Sequence, residues 1–124
     1  MRDGIEQEIQ AKGLTAPRVT MADIEANIID EVYFTAEQGY QKAMSEQYPD
    51  SAAQGNQFPH SGLRLLTFCV FVLKNSFTVT GESACASPEN FDAELGRKIA
   101  RQNAIEKCWP LMGYALRERL ARES

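Results

Sequence analysis

Apolar residues recur at helical spacing along much of this chain. Ile5 and Ile9 stand four apart in a segment closed by Gly13 and Pro17, so residues 1–19 read as a flexible N-terminal arm. Thr20 with Asp23 three positions on has the form of a capping box. Ile24, Ile28 and Val32 follow at four-residue intervals and predict a helix with one apolar stripe. Thr35 and Gln38 repeat the box ahead of Tyr40 and Met44, with Gly39 costing that helix about 1 kcal/mol relative to alanine. Residues 47–62 hold two prolines and two glycines among small polar side chains, and read as a mobile loop or an interaction surface.

The segment 63–73 is apolar almost throughout and predicts a central buried element. Its Val and Phe content would suit a strand, but its length and the Lys74-Asn75 ending favour a helix. Phe77-Thr-Val-Thr-Gly81 alternates and predicts a short strand. Ser87 before Pro88 predicts a helix start, with the serine as N-cap and the proline in the first turn. Along that helix Phe91, Leu95 and Ile99 form the expected core stripe. Ala93, Gly96, Ala100 and Ala104 form a narrow strip that admits a close neighbour, inside the chain or in another copy. Glu94 and Lys98 are spaced for an ion pair, and Pro110 is expected to kink or interrupt the helix. Met112, Leu116 and Leu120 carry the apolar stripe to an arginine-rich end. The predicted fold is therefore mainly α, with four to five helices and one short strand or hairpin. Residues 20–124 form a single domain in which Trp109 is largely buried.

Composition narrows the function classes. The net charge is −4, yet residues 1–60 carry four Lys/Arg against ten Asp/Glu. The C-terminal part is only weakly basic, which argues against nucleic-acid binding by a phosphate-neutralising patch. An acidic half is most simply a solvated face, and a basic partner is the functional alternative. Cys69, Cys85 and Cys108 are widely spaced and His60 is the one histidine, so no zinc-ligand spacing exists and no metal is expected. Buried thiols of a reducing compartment are the simplest reading. The first residues lack the apolar stretch of a signal peptide, and the longest apolar run is too short to span a bilayer.

Candidate chemistry is sparse. A nucleophile would need a base and an orienting group, and neither His60 nor Cys85 has them in view. Glu82 and Glu89 could serve as an acid/base pair, but carboxylates near a helix start have a simpler electrostatic explanation. No catalytic residue, no cofactor and no nucleotide-fold motif is assigned, and the chain is expected not to be an enzyme. The sharper candidate is an anion or polar-ligand site. Thr78, Thr80, Ser83 and Ser87 supply hydroxyls around Gly81, with Glu82 and Asn90 beside them, and Arg97 and Arg101 lie one turn apart on one face. The plainer alternative is that the hydroxyls cap and the arginines pair with nearby acids.

Three segments carry a resemblance: Leu66-Thr-Phe-Cys-Val-Phe-Val-Leu-Lys-Asn75, Phe77-Thr-Val-Thr-Gly-Glu-Ser-Ala-Cys-Ala-Ser-Pro-Glu-Asn-Phe-Asp92 and Gly96-Arg-Lys-Ile-Ala-Arg-Gln-Asn-Ala104. Together they resemble a family of small tailed-bacteriophage proteins, the gp forty-nine / gene sixty-six family. The likeness is close over residues 63–116 and looser over 20–40. Ser76 stands where relatives often carry glycine, and Cys108 replaces a bulkier aliphatic residue. The resemblance implies a phage accessory product acting in the host cell cytoplasm, with no family catalytic residues to carry over. It sets the expectation of a binding protein that counters a host immune or physiological factor by blocking a host protein. The alternative is an oligomeric sponge for a nucleotide-like host signalling molecule, built around the hydroxyl and arginine residues. A homo-oligomer is expected, because the small-residue strip and the C-terminal stripe offer more apolar surface than one short domain easily hides.

Overall fold

The computed structural model describes residues 2–55, 57–58 and 60–124. Helices α1 (Arg2–Ala11) and α2 (Met21–Asn27) lead into strand β1 (Ile28–Thr35). Helices α3 (Ala36–Gln47) and α4 (Pro49–Ala53) follow, then a 3₁₀ turn at Ser61–Leu65. Strands β2 (Leu66–Leu73) and β3 (Thr78–Ala84), a second 3₁₀ turn at Pro88–Asn90 and helix α5 (Ala93–Glu123) complete the chain. The strands form one antiparallel sheet in the order β1-β2-β3, and α5 lies across β3 and β2. The expected mainly helical fold with one short strand or hairpin is thereby corrected to α+β.

Both capping boxes form. Thr20 accepts from Asp23 N while Asp23 accepts from Thr20 N, and Thr35 and Gln38 exchange the same pair. The first box starts a helix of only seven residues, because Ile28 leaves helical geometry at φ −86°, ψ 113° and opens β1. The predicted Ile24–Ile28–Val32 stripe therefore splits: Ile24 is fully buried, while Val32 is 42% exposed on a strand. Residues 66–73 are a strand rather than a helix, and their burial alternates with period two. Thr67, Cys69, Phe71 and Leu73 are buried, with the even-numbered residues half-covered. In the 47–62 segment, α4 and the 3₁₀ turn are helical, and the Gln41 amide pairs with both backbone groups of Phe58. Positions 56 and 59, which the mobile-loop expectation included, lie outside the described residues, as does Met1 of the arm.

Helix α5 has 31 residues and runs through Pro110 as one element, about 46 Å long at 1.5 Å per residue. Its N-cap is Asp92, which accepts from Leu95 N at 3.0 Å; Ser87 makes no side-chain cap. The start moves because Pro88–Asn90 closes as a separate 3₁₀ turn and Phe91 is extended at φ −67°, ψ 125°.

The two predicted stripes also exchange roles. Gly96, Ala100 and Ala104 are buried against the sheet, whereas Leu95 and Ile99 are 53% and 40% exposed. The close approach is to Gly81 of β3, where an added Cβ would stand 2.1 Å from Ala100 O and 2.3 Å from Ala104 N. Only a residue without a side chain lets the helix backbone rest there. The core of Ile24, Cys69, Phe71, Leu73, Val79, Ala100, Ala104, Ile105 and Cys108 lies between this face of the sheet and the helices, with Trp109 partly buried at its margin.

Candidate functional site

The helix-side face of the sheet holds a polar cluster that spans the chain. Glu31 and Tyr33 project from β1 toward α5, opposite Phe71 and Cys69 of β2. Arg101 of α5 donates from Nε to Glu31 Oε1 at 3.1 Å and from Nη2 to both oxygens of Glu25 at 3.1 and 2.9 Å. Tyr33 donates its hydroxyl to Glu31 Oε2 at 2.7 Å, and the guanidinium lies 5.6 Å from the centre of the Phe71 ring. One arginine thus ties α2, β1 and α5 together over the core.

The electrostatics follow from this geometry. The hydrogen bond from Arg101, helped by the Tyr33 hydroxyl, holds the Glu31 carboxyl below its ordinary value despite partial burial. Burial, then the bond to Glu31, raises the Tyr33 phenol, and burial raises the thiols of Cys69 and Cys108. A depressed Glu31 stabilises the fold at neutral pH, and that contribution is lost as pH falls through the ordinary carboxylate range, about 4, toward the lower folded value. Glu31→Gln should therefore lose less stability than the wild type between pH 6 and 3. Melting curves across that range check this, and parallel acid limbs would contradict it.

The eight residues nominated from the sequence are not gathered at one point. Arg101 faces the acids just described, whereas Arg97, one turn earlier, is exposed. Thr78, Thr80 and Glu82 pair with Val72, Val70 and Phe68 and so share the opposite, outer face of the sheet. Glu82 lies 3.6 Å from Lys107 Nζ. Ser83 pairs with Thr67 on the helix side. Ser87 and Asn90 are exposed around the 3₁₀ turn, where the Ser87 carbonyl accepts from Cys85 Sγ at 3.1 Å. His60 packs edge-on to Tyr40 at 5.5 Å between ring centres. Among the described residues no group of three His, Cys, Asp or Glu is placed to hold a metal, and the three cysteines are free thiols.

A cavity of about 430 Å³ lies beside α1, lined by Glu6, Gln10, Arg18, Thr20, Met21 and Trp109 among others. None of the eight nominated residues lines it, and Arg18 is spanned by both oxygens of Glu6 at 2.6 Å.

The outer sheet face is the feature that sequence reasoning missed. Val32 and Phe34 of β1 pair with Val70 and Phe68 of β2, so these four side chains point away from α5. Helix α3 begins over one end, where a Cβ on Gly39 would lie 3.9 Å from the Phe34 ring and Phe34 meets Phe68 at 5.5 Å between ring centres. The cover is incomplete: Val32 and Phe34 remain 42% and 37% exposed. Exposed Asp30 and Glu82 lie at the two margins of this apolar strip. The β-branched and aromatic run Ile28-Ile29-Asp-Glu-Val-Tyr-Phe34 was the available signal for a strand here.

No match was found among curated proteins or among solved structures. No helix among the described residues is long and apolar enough to cross a membrane. The profile of the phage protein (N4 Gp49/phage Sf6 gene 66) family matches residues 19–120, which takes in the sheet, the arginine cluster and nearly all of α5. The chain belongs to that family of phage proteins.

Proposed function

We propose that this phage protein is a non-enzymatic binding protein, acting in the host cytoplasm, that counters a host immune or physiological factor by blocking a host protein through the outer face of its sheet. The observation that carries this reading is the half-open strip of Val32, Phe34, Phe68 and Val70. Contiguous apolar surface with a polar rim is what protein partners bury. Asp30 stands at one margin, Glu82 at the other is matched by Lys107, and residues 1–60 carry ten Asp/Glu against four Lys/Arg, so a partner with a basic rim around an apolar centre is the fitting chemistry. A sequestering pocket would need its hydroxyls and arginines to converge, and those residues lie on both faces of the sheet and on α5.

Co-purification from the infected host tests it. The wild type should retain one host protein in stoichiometric amount, and Val32→Asp should lose it while keeping the far-ultraviolet circular dichroism spectrum of the fold; Val32 is 42% exposed, so the substitution also costs about 1 kcal/mol. A wild type that retains nothing, or a Val32→Asp protein that retains the partner in full, would overturn the reading.

A further inference from the structure

The cavity beside α1 is walled by three separate stretches of chain. Glu6 and Gln10 come from α1, Arg18, Met21 and Ala22 from the segment leading into α2, and Trp109 from α5. A second hollow of about 270 Å³ adjoins it, lined by Ile5, Ile9 and Val19, and Glu6, Arg18 and Trp109 line both. The indole is thus a shared wall, with the Glu6–Arg18 pair at the junction. A volume of about 430 Å³ lies within the range of small-molecule sites, which are mostly apolar with a few placed polar groups. An indole, a thioether and branched aliphatic chains suit the flat face of an aromatic ring. Neither hollow shares a residue with the outer face of the sheet.

The polar groups of the cavity are unequally spent. Glu6 accepts from Arg18 Nη1 and Nη2 at 2.6 Å and from Gln10 Nε2 at 2.9 Å, which leaves little of its acceptor capacity. The Thr20 carbonyl accepts from Ile24 N, and the Thr20 hydroxyl oxygen accepts from Asp23 N. Donors are in surplus. The bonds to Glu6 use two of the five guanidinium N–H groups of Arg18 and one of the two amide hydrogens of Gln10. The hydroxyl hydrogen of Thr20 takes no part in the capping box. The charge of Arg18, by contrast, is already met by Glu6, and Asp23 adds a second negative charge nearby. A molecule recognised here must accept hydrogen bonds without bringing a negative charge.

We propose that this cavity binds a small neutral aromatic molecule bearing a carbonyl oxygen, with the ring against Trp109 and Met21 and the oxygen on the unspent N–H groups of Arg18. An aromatic carboxylate offers the same kind of acceptor but is repelled by Glu6 and Asp23. A protonated amine finds the acceptors of Glu6 already occupied.

Trp109 is the only tryptophan, so the single indole N–H resonance of the isotope-labelled full chain reports on the site directly. Two compounds of one ring system serve as ligands: carbostyril, a neutral fused-ring lactam, and quinaldate, a carboxylate. With carbostyril the resonance should move and saturate, with a dissociation constant on the order of 1 mM. Quinaldate should bind about tenfold more weakly. Ala22→Phe fills the cavity from an exposed helix position and should abolish the shift. Arg18→Met removes the donors and should weaken binding about tenfold. Both variants should keep the far-ultraviolet circular dichroism spectrum of the wild type. No saturable shift by about 5 mM carbostyril would overturn the proposal. So would equal binding of quinaldate, or wild-type affinity in either folded variant.

Discussion

Replacing Gly81 with alanine should cost about 3 kcal/mol or more and lower the melting temperature by roughly 10 °C. The new methyl carbon would stand 2.1 Å from Ala100 O and 2.3 Å from Ala104 N, and both are backbone atoms of α5 that no side-chain rotation can move. The helix must lift from the sheet, and Val79, Ala100 and Ala104 lose their cover together. Gly96→Ala makes the informative comparison. Its Cβ would meet the Thr67 side chain, the hydroxyl at 3.1 Å and Cβ at 3.8 Å, and alanine favours the helix by about 1 kcal/mol. Its effect should be small. Thermal unfolding of the two variants under one set of conditions checks the pair, and equal melting temperatures would contradict the contact.

Arg101→Gln should destabilise the fold by about 2 kcal/mol, lowering the melting temperature by roughly 6–10 °C, whereas Arg97→Gln should have almost no effect. The estimate lies between the extremes for exposed and buried pairs because the Arg101 side chain is 30% exposed. Its removal leaves Glu25 and Glu31 facing each other without a cation between α2 and β1. Arg101→Lys should recover only part of the loss, since an ammonium cannot span both acids in the geometry of a guanidinium. Equal melting temperatures for the Arg97 and Arg101 variants would show that the cluster contributes nothing to stability.

What the sequence revealed depended on the range of the interactions involved. The capping boxes at Thr20 and Thr35 were legible because both partners lie within three residues, and the Glu94–Lys98 pair was legible for the same reason. β1 was hidden because Ile24, Ile28 and Val32 fall at helical spacing by coincidence, while the chain leaves the helix at Ile28. β2 was hidden for another reason: α5 covers one face and α3 part of the other, so both faces are apolar and the alternation vanishes from the sequence. The small-residue strip of α5 correctly announced a close neighbour, but nothing local said that the neighbour was Gly81. Leu95 and Ile99 were assigned inward because periodicity gives a stripe without saying which stripe meets the sheet.

The candidate site followed the same rule. Arg101 was singled out as a candidate ligand or partner contact, and the structure pairs it with acids of its own chain. Its partners Glu25 and Glu31 lie 76 and 70 residues away, and no spacing could have nominated them. The outer face depended on β1 being a strand, so missing the strand meant missing the surface.

The most direct test of the binding assignment compares two exposed substitutions in infected cells, Val32→Asp on the outer face and Arg97→Gln on α5. Both proteins should accumulate and fold like the wild type, Arg97→Gln with an unchanged melting temperature and Val32→Asp with one lowered by roughly 3–5 °C. Loss of the protein's effect on the host with Val32→Asp, and full retention with Arg97→Gln, is the expected result. Retention with Val32→Asp and loss with Arg97→Gln would contradict the assignment and point instead to an anionic ligand held by α5.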